Sequence, residues 1–240
     1  KIGFGPEFDD LTRNLNLMLD RMATSMEALR QISTDVAHDL RTPLTRLHQT
    51  LERIRDAGHP DPLAIDAALE QTTGLLTTFQ ALLRIGTLEG GMGRQRFAPI
   101  NLSELMDRIQ QAYAPVAEDA GQELVADLEP DVFIVGDAEL LAQLFTNLIE
   151  NAIVHTPQGT SIKTRLRLDA LQPIAEIIDN GPGIPCDERH KVFRRFYRLD
   201  PSRSTEGAGL GLALVAAIAT LHAAHYELSD QLTGLCVRIA

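Results

Sequence analysis

Two cysteines in 240 residues, Cys186 and Cys236, leave no pair at CxxC spacing. That absence excludes a cysteine-based metal or redox motif and points to two reduced thiols in a reducing compartment. Long hydrophobic runs are missing too. The longest, Leu210 to Leu221, is too short to cross a bilayer, and no signal-peptide pattern opens the chain. Positive charge is in the minority. Lys and Arg number 22 against 33 Asp and Glu, for a net charge of -11. Such a surface disfavours nonspecific binding to nucleic acid or anionic lipid, while leaving room for a local cationic pocket. No internal repeat or low-complexity tract is present. What remains is 44 % hydrophobic and 23 % charged, enough to bury a real core in one or two domains. The chain opens at Lys1 rather than Met, so a fragment of something longer is expected.

The first third has a helical pattern. Leu15, Met22, Leu29 and Val36 recur every seven residues, with Met18 and Ile32 between them and Leu19, Met26 and Leu40 alongside. This reads as a coiled-coil seam; a lone amphipathic helix against a globular core would not need so long and narrow a stripe. Pro43 interrupts it, and the next series, Leu44, Leu47, Leu51 and Ile54, is slipped by one residue. The pattern predicts one kinked helix of roughly 45 residues, because proline removes a donor and bends the helix. The breaker Ala57–Gly58–His59–Pro60–Asp61–Pro62 follows, then a second helix with Leu69, Leu76, Phe79 and Leu83 on one face. Two long helices around a short turn make an antiparallel hairpin, and its narrow apolar face calls for a dimeric four-helix bundle.

Glu89–Gly90–Gly91–Met92–Gly93 is a linker, and the texture changes beyond it. Asn101 and Glu104 form a helix N-cap pair. Val132–Val135 is a short strand, and Asp137 caps a helix that runs through Asn151. Strands are predicted over 162–168, 174–178, 226–229 and 235–239. The second domain is therefore an α+β sandwich, one helical layer on one sheet.

Three clusters carry chemistry. Asn147 and Asn151 are four apart and share a helix face. Their neutral carbonyl oxygens suit Mg²⁺ when phosphates already bring the negative charge. Asp179–Asn180–Gly181–Pro182–Gly183–Ile184 follows an apolar strand. A carboxylate there can accept from an adenine amino group, and the glycines let the backbone turn sharply beside the base. Gly207–Ala208–Gly209–Leu210–Gly211–Leu212 runs into an apolar helix, where exposed N–H groups and the macrodipole favour phosphate. Neither a Walker A lysine nor a Rossmann strand-then-acid frame accompanies it. Alone, each cluster has a plain alternative: an exposed polar face, a tight turn, or a glycine-rich helix start.

In this order and spacing, the Asn pair, DNGPGI, the Phe193-to-Tyr197 segment FRRFY and GAGLGL resemble the N, G1, F and G2 boxes of bacterial sensor histidine kinases. The resemblance spans essentially the whole chain. It implies the fold shared with gyrase and mismatch-repair ATPases, with ATP and Mg²⁺ as ligands. By that resemblance Asn151 and Asn147 hold the metal and Asp179 reads adenine. Gly181, Gly183, Ile184, Phe193 and the 207–212 segment shape the pocket. Pro185 to Glu206 is the ATP lid, with Arg198 and Arg203 reaching phosphates. Asn147 stands where the related ATPases place a water-activating Glu, which preserves ATP for transfer. Val154 stands where many members have Lys or Arg; His155 or a lid arginine is the compensating group.

His38 lies in Asp35-Val-Ala-His-Asp-Leu-Arg-Thr-Pro43, two positions past the seam residue Val36, and so points outward. An exposed imidazole is a nucleophile near neutral pH and needs no metal. The segment resembles the family's H box, with Asp39 where many members have Glu. The resemblance implies that His38 accepts the phosphoryl group, that Asp39 orients the imidazole, and that Arg41 steadies the phosphate. Asp39 and Thr42 also match the family's phosphatase motif. Phe4 to Met22 resembles the last helix of a HAMP domain, which implies the cytoplasmic portion of an inner-membrane receptor.

The expected plan is a signalling helix over 1–24, a phosphotransfer hairpin over 25–90, a linker over 91–98 and an ATP-binding domain over 99–240. The expected activity is autophosphorylation of a homodimer on His38, then transfer to an Asp on a response-regulator receiver domain, with no nucleic-acid partner. A phosphatase-dominant regulator and an ATP-binding scaffold without kinase activity are the alternatives.

Overall fold

The computed structural model describes residues 44–45, 47–56, 62–89, 96–199, 209–230 and 234–240. The expected seam ahead of Pro43, His38, Asp39, Arg41 and Thr42, most of the 57–62 breaker, and Arg203, Gly207 and Ala208 lie outside the described residues. The chain divides into two compact units, 1–90 and 91–240.

In the first unit, 44–45 and 47–56 are helical (α1), and α2 spans Pro62–Glu89. Helix α2 has two apolar stripes rather than one. Ala68, Leu82, Ile85 and Leu88 are buried. The stripe expected from the sequence, Leu69, Leu76, Phe79 and Leu83, stays 41 to 61 % exposed, as do Leu44 and Leu51 of α1 at 52 and 50 %. Threonines 72, 73, 77, 78 and 87 return their hydroxyls to carbonyls four residues back, which keeps those polar groups satisfied along the helix.

The second unit runs β1 (Ala98–Asn101), α3 (Leu102–Asp119), β2 (Glu123–Leu128), β3 (Phe133–Gly136), α4 (Ala138–His155), β4 (Ser161–Asp169), β5 (Gln172–Asp179), α5 (Gly211–Leu221), β6 (Tyr226–Asp230) and β7 (Leu235–Ile239). Five strands form one sheet in the order β2-β4-β5-β7-β6, and β1 pairs with β3 in a separate two-stranded ladder. Among the described strands only the β2–β4 pair is parallel. Strands β1 and β2 were not expected from the sequence. Both are short and half exposed, and neither shows a period-two alternation. Helix α4 also runs one turn past Asn151, to His155.

Capping follows the sequence. The Glu104 N–H donates to Asn101 Oδ1 at 3.2 Å, and Asn101 Nδ2 donates to Glu104 Oε1 at 3.1 Å. Asp137 Oδ1 accepts from the Glu139 and Leu140 N–H groups at 2.9 and 3.2 Å. Each arrangement satisfies first-turn donors that have no partner inside the helix.

Alternation decides which face of the sheet meets the helices. Ile162, Thr164 and Leu166 of β4 are buried and pair with Asp179, Ile177 and Ala175 of β5. Val237 and Ile239 continue that face on β7. Leu144, Phe145, Leu148 and Ile149 of α4 and Leu214, Val215 and Ile218 of α5 supply the helical side of the core. On the other face a row of charges crosses all five strands: Asp127, Arg165, Glu176, Arg238 and Glu227. Glu176 is buried between Arg165 Nη1 at 3.2 Å and Arg238 Nε at 2.9 Å.

His222 ends α5. Its Nδ1 donates to Ile218 O at 2.8 Å, and its Nε2 accepts the Asp137 N–H at 3.1 Å. A backbone N–H can only donate and a carbonyl only accept, so these partners fix the neutral tautomer. Its ring stacks on Phe97 with centroids 4.6 Å apart, tying the entry of the unit to the start of α4.

Candidate functional site

The site gathers at one face of α4. Asn147 and Asn151 each bury an amide nitrogen with no hydrogen-bond partner. A buried polar group without a partner costs about 1–3 kcal/mol, so such a pair marks a place where a ligand completes the structure. Turning an amide about its last bond exchanges nitrogen for oxygen at the same spot. The pair can therefore meet phosphate oxygens as donors or a cation as acceptors.

Helix α5 starts beside them. A Cβ added at Gly211 would stand 3.6 and 3.7 Å from the Asn151 amide atoms, so the first turn of α5 approaches that amide directly. The turn has no side-chain cap and no acidic residue. N–H groups and the helix dipole at such a helix start favour an anion.

The other wall is the end of β5. Asp179 is buried on the helix-facing side of the sheet. Its Oδ1 accepts the Gly181 N–H at 2.8 Å. Burial pushes its carboxyl above the ordinary value, against the lowering by the Gly181 and Leu235 backbone N–H groups. A desolvated carboxylate with spare acceptor capacity has a strong preference for a donor that replaces the lost water. Gly181 is required by close approach: a Cβ there would meet Thr156 Cγ2 at 2.6 Å and Asp179 Oδ1 at 3.0 Å. Asn180 turns outward, and its Oδ1 accepts the Ser161 N–H at 2.8 Å, locking the turn to β4.

The described part of the expected lid, 185–199, is a run of turns. Arg189 fastens its base: Nε donates to Ile184 O at 3.0 Å, and the guanidinium pairs with Asp230 of β6. Phe193 packs on Tyr226, centroids 4.8 Å apart, so it contacts β6. Phe196 N–H donates to Gly209 O at 2.9 Å, which brings the FRRFY and GAGLGL segments together. Leu210 is buried, whereas Ile184, Arg198 and Leu212 are half-buried and His155 is exposed at the end of α4. Gly183 lies against the Gly234 backbone, with a built Cβ 3.4 Å from Gly234 O.

Sequence reasoning missed three residues here. Gly234 has φ +107, and a Cβ there would stand 1.9 Å from Asp179 O. Thr156 covers Gly181. Gln122 donates from Nε2 to Ile153 O, Thr156 O and Thr156 Oγ1 at 3.0, 2.8 and 3.0 Å. No spacing in the chain announces any of them, because each acts on a neighbour distant in sequence.

No cluster of three or more His, Cys, Asp or Glu among the described residues could hold a metal ion. The neutral Asn147 and Asn151 amides fit a divalent cation whose charge is balanced by phosphates rather than by protein carboxylates.

Asn147, Asn151, Asp179 and Gly211 all lie within residues 136–240, which match the family described as "Histidine kinase-, DNA gyrase B-, and HSP90-like ATPase". "Sensor protein kinase PmrB" of Pseudomonas aeruginosa is 32% identical over 233 residues, 95% of this chain and 48% of that protein. "Probable sensor histidine kinase TcrY" of Mycobacterium tuberculosis is 36% identical over 231 residues, 90% of this chain and 48% of that protein. Among solved structures, the histidine kinase AdeS of Acinetobacter baumannii is 25% identical with a TM-score of 0.69, covering 85% of this chain and 97% of that one. The chain belongs to the sensor histidine kinases of two-component systems. It spans about half the length of the relatives it matches. No described helix is long and apolar enough to cross a membrane.

Proposed function

We propose that this chain transfers the γ-phosphoryl group of ATP to His38 and then to an aspartate of a response-regulator receiver domain. The observation that carries the reading is the pair of buried, unpartnered amide nitrogens on Asn147 and Asn151, with Asn151 beside the first residue of α5, Gly211. Asp179 accepts the adenine amino group at one end of the pocket. The N–H groups at Gly211 take phosphate oxygens at the other, with Gly207 and Ala208 contributing to phosphate binding and Arg198 and Arg203 adding charge. A bound Mg²⁺, held by Asn151 and Asn147, would neutralise the triphosphate. Phosphoryl transfer needs positioning and charge balance more than covalent chemistry from the protein. Asp39 orients the His38 imidazole so that its free nitrogen attacks in line, and Arg41 steadies the phosphate.

The active species is a homodimer. Leu69, Leu76 and Leu83 recur every seven residues on α2 and are 53 to 61 % exposed in a single chain, and an apolar stripe of that kind is stable only when covered. The whole protein is a membrane receptor that carries a HAMP helix over 1–24, the hairpin over 25–90 and the ATP-binding domain beyond the linker. Incubation with γ-labelled ATP and Mg²⁺ tests the reading: label is expected on the wild-type chain and absent from His38→Gln. Undiminished label in that variant would overturn it.

Phosphatase action is a second reading. The "Signal transduction histidine-protein kinase/phosphatase MprB" of Mycolicibacterium smegmatis is 31% identical over 95% of this chain. Asp39 and Thr42 would then position water against the regulator's phospho-aspartate. Thr42→Ala is expected to abolish regulator dephosphorylation while His38 labelling survives.

A further inference from the structure

We propose that the Thr156 methyl group sets the adenine preference of the site by holding Gly181 and, through it, the Asp179 carboxylate. The proposal rests on Asp179 reading the base. Thr156 follows the last residue of α4, and its hydroxyl is used twice. Oγ1 donates to Ala152 O at 2.8 Å and accepts from Gln122 Nε2 at 3.0 Å. Gln122 is itself buried and also grips Ile153 O and Thr156 O. Those bonds leave one rotamer for Thr156, with the hydroxyl turned back to α4 and Cγ2 turned to Gly181. The methyl occupies the space a Gly181 side chain would need, 2.6 Å from that built Cβ. Gly181 in turn donates its N–H to Asp179 Oδ1 at 2.8 Å.

The chain of contacts therefore runs from Gln122 through Thr156 and Gly181 to the carboxylate. A buried carboxylate discriminates between bases only while its direction is fixed. It accepts from the 6-amino group of adenine and repels the 6-oxo group of hypoxanthine. If the methyl is lost, Gly181 has room to shift, the carboxylate swings with it, and the amino group is no longer met along a lone pair. Thr156 acts through Gly181 and Asp179 rather than on the base, and is a positioning residue.

The test measures ADP and IDP binding to the full chain by calorimetry, for wild type, Thr156→Ser and Thr156→Val, with melting by circular dichroism to show each is folded. Wild type is expected to prefer ADP by about tenfold or more, the worth of a hydrogen bond to a charged group. Thr156→Ser keeps the hydroxyl bonds and loses the methyl; ADP binding is expected to weaken about fivefold with IDP unchanged, a loss the size of one methyl contact. Thr156→Val keeps a methyl over Gly181 and is expected to retain the ratio, even with a lower melting temperature. Thr156→Ala, which lacks both groups, is expected to lose the ratio as Thr156→Ser does. An unaltered ratio in Thr156→Ser overturns the proposal, whether or not both affinities fall together. So does loss of the ratio in Thr156→Val, which would assign the effect to the hydroxyl. Equal binding of ADP and IDP by wild type would instead refute base reading by Asp179, and the proposal with it.

Discussion

Gly234→Ala separates steric from conformational cost in the wall of the nucleotide site. Gly234 has φ +107, and an added Cβ would lie 1.9 Å from Asp179 O, 2.6 Å from Asp179 C and 2.7 Å from Asn180 Cα. All three neighbours are backbone, so no rotamer change relieves the contact. Reaching even 3.0 Å requires the two segments to part by about 1.1 Å (3.0 less 1.9). Strand β7 begins one residue later, and its Cys236 pairs with Ile178 of β5, so the separation opens that ladder and displaces Asp179. The strained backbone costs about 1–3 kcal/mol and the overpacking about as much again, for a total of about 2–6 kcal/mol. Gly159 is the control. Its φ is +84, but nothing lies within 4 Å of an added Cβ, so Gly159→Ala carries the backbone term alone, about 1–2 kcal/mol. Urea melts of the full chain by circular dichroism, with ADP titration by calorimetry, read both effects. Gly234→Ala is expected to lose ADP binding along with stability, and Gly159→Ala to keep binding. Equal destabilisation by the two substitutions would refute the steric argument.

Asn151→Ala and Asn147→Ala each remove a buried amide nitrogen that lacks a protein partner; both are expected to leave apo stability within about 1 kcal/mol and to weaken nucleotide binding at least tenfold in titrations. Asp179→Asn is expected to stabilise the apo chain at neutral pH. Burial raises the folded-state value of Asp179 above 3.8, so over the window just above it the native state keeps a proton that the unfolded chain has released, and stability falls as pH rises through that window. Urea midpoints across pH check that the variant flattens this fall. Ala170 and Leu171 join β4 to β5 with φ of +47 and +71, a turn that favours Asn-Gly; Ala170→Asn with Leu171→Gly is expected to stabilise by about 1–2 kcal/mol in thermal melts. Glu176→Ala leaves Arg165 and Arg238 facing each other on the sheet; a cost of about 1–2 kcal/mol is expected, larger at low salt.

Strong local signals were legible in the sequence. The caps at Asn101 and Asp137 work at the residues that spell them, because a cap needs only neighbours two or three positions away. Strands β4, β5, β6 and β7 fall within two residues of their expected bounds, since alternation over five or more residues is a local property. Strands β1 and β2 were not legible. Their pairing is with β3 and β4, and nothing within a four- or six-residue stretch records it. On α2 the sequence offered an apolar stripe at 69, 76 and 83, but the stripe buried in this chain is the adjacent one; composition along a helix does not say which apolar face meets which neighbour.

By itself the sequence determined the residue types at the site and their order. The amides four apart on one helix, the acid at a strand end and the glycines before an apolar helix are fixed by spacing, and local geometry follows from it. Tertiary structure alone decided which of them meet. The fold brought Gly211 against Asn151, set Gly234 behind Asp179, and placed the Thr156 methyl over Gly181. Contacts of that kind depend on how strands and helices pack across long stretches of chain, and a buried carboxylate acquires its raised proton affinity only when that packing removes its water.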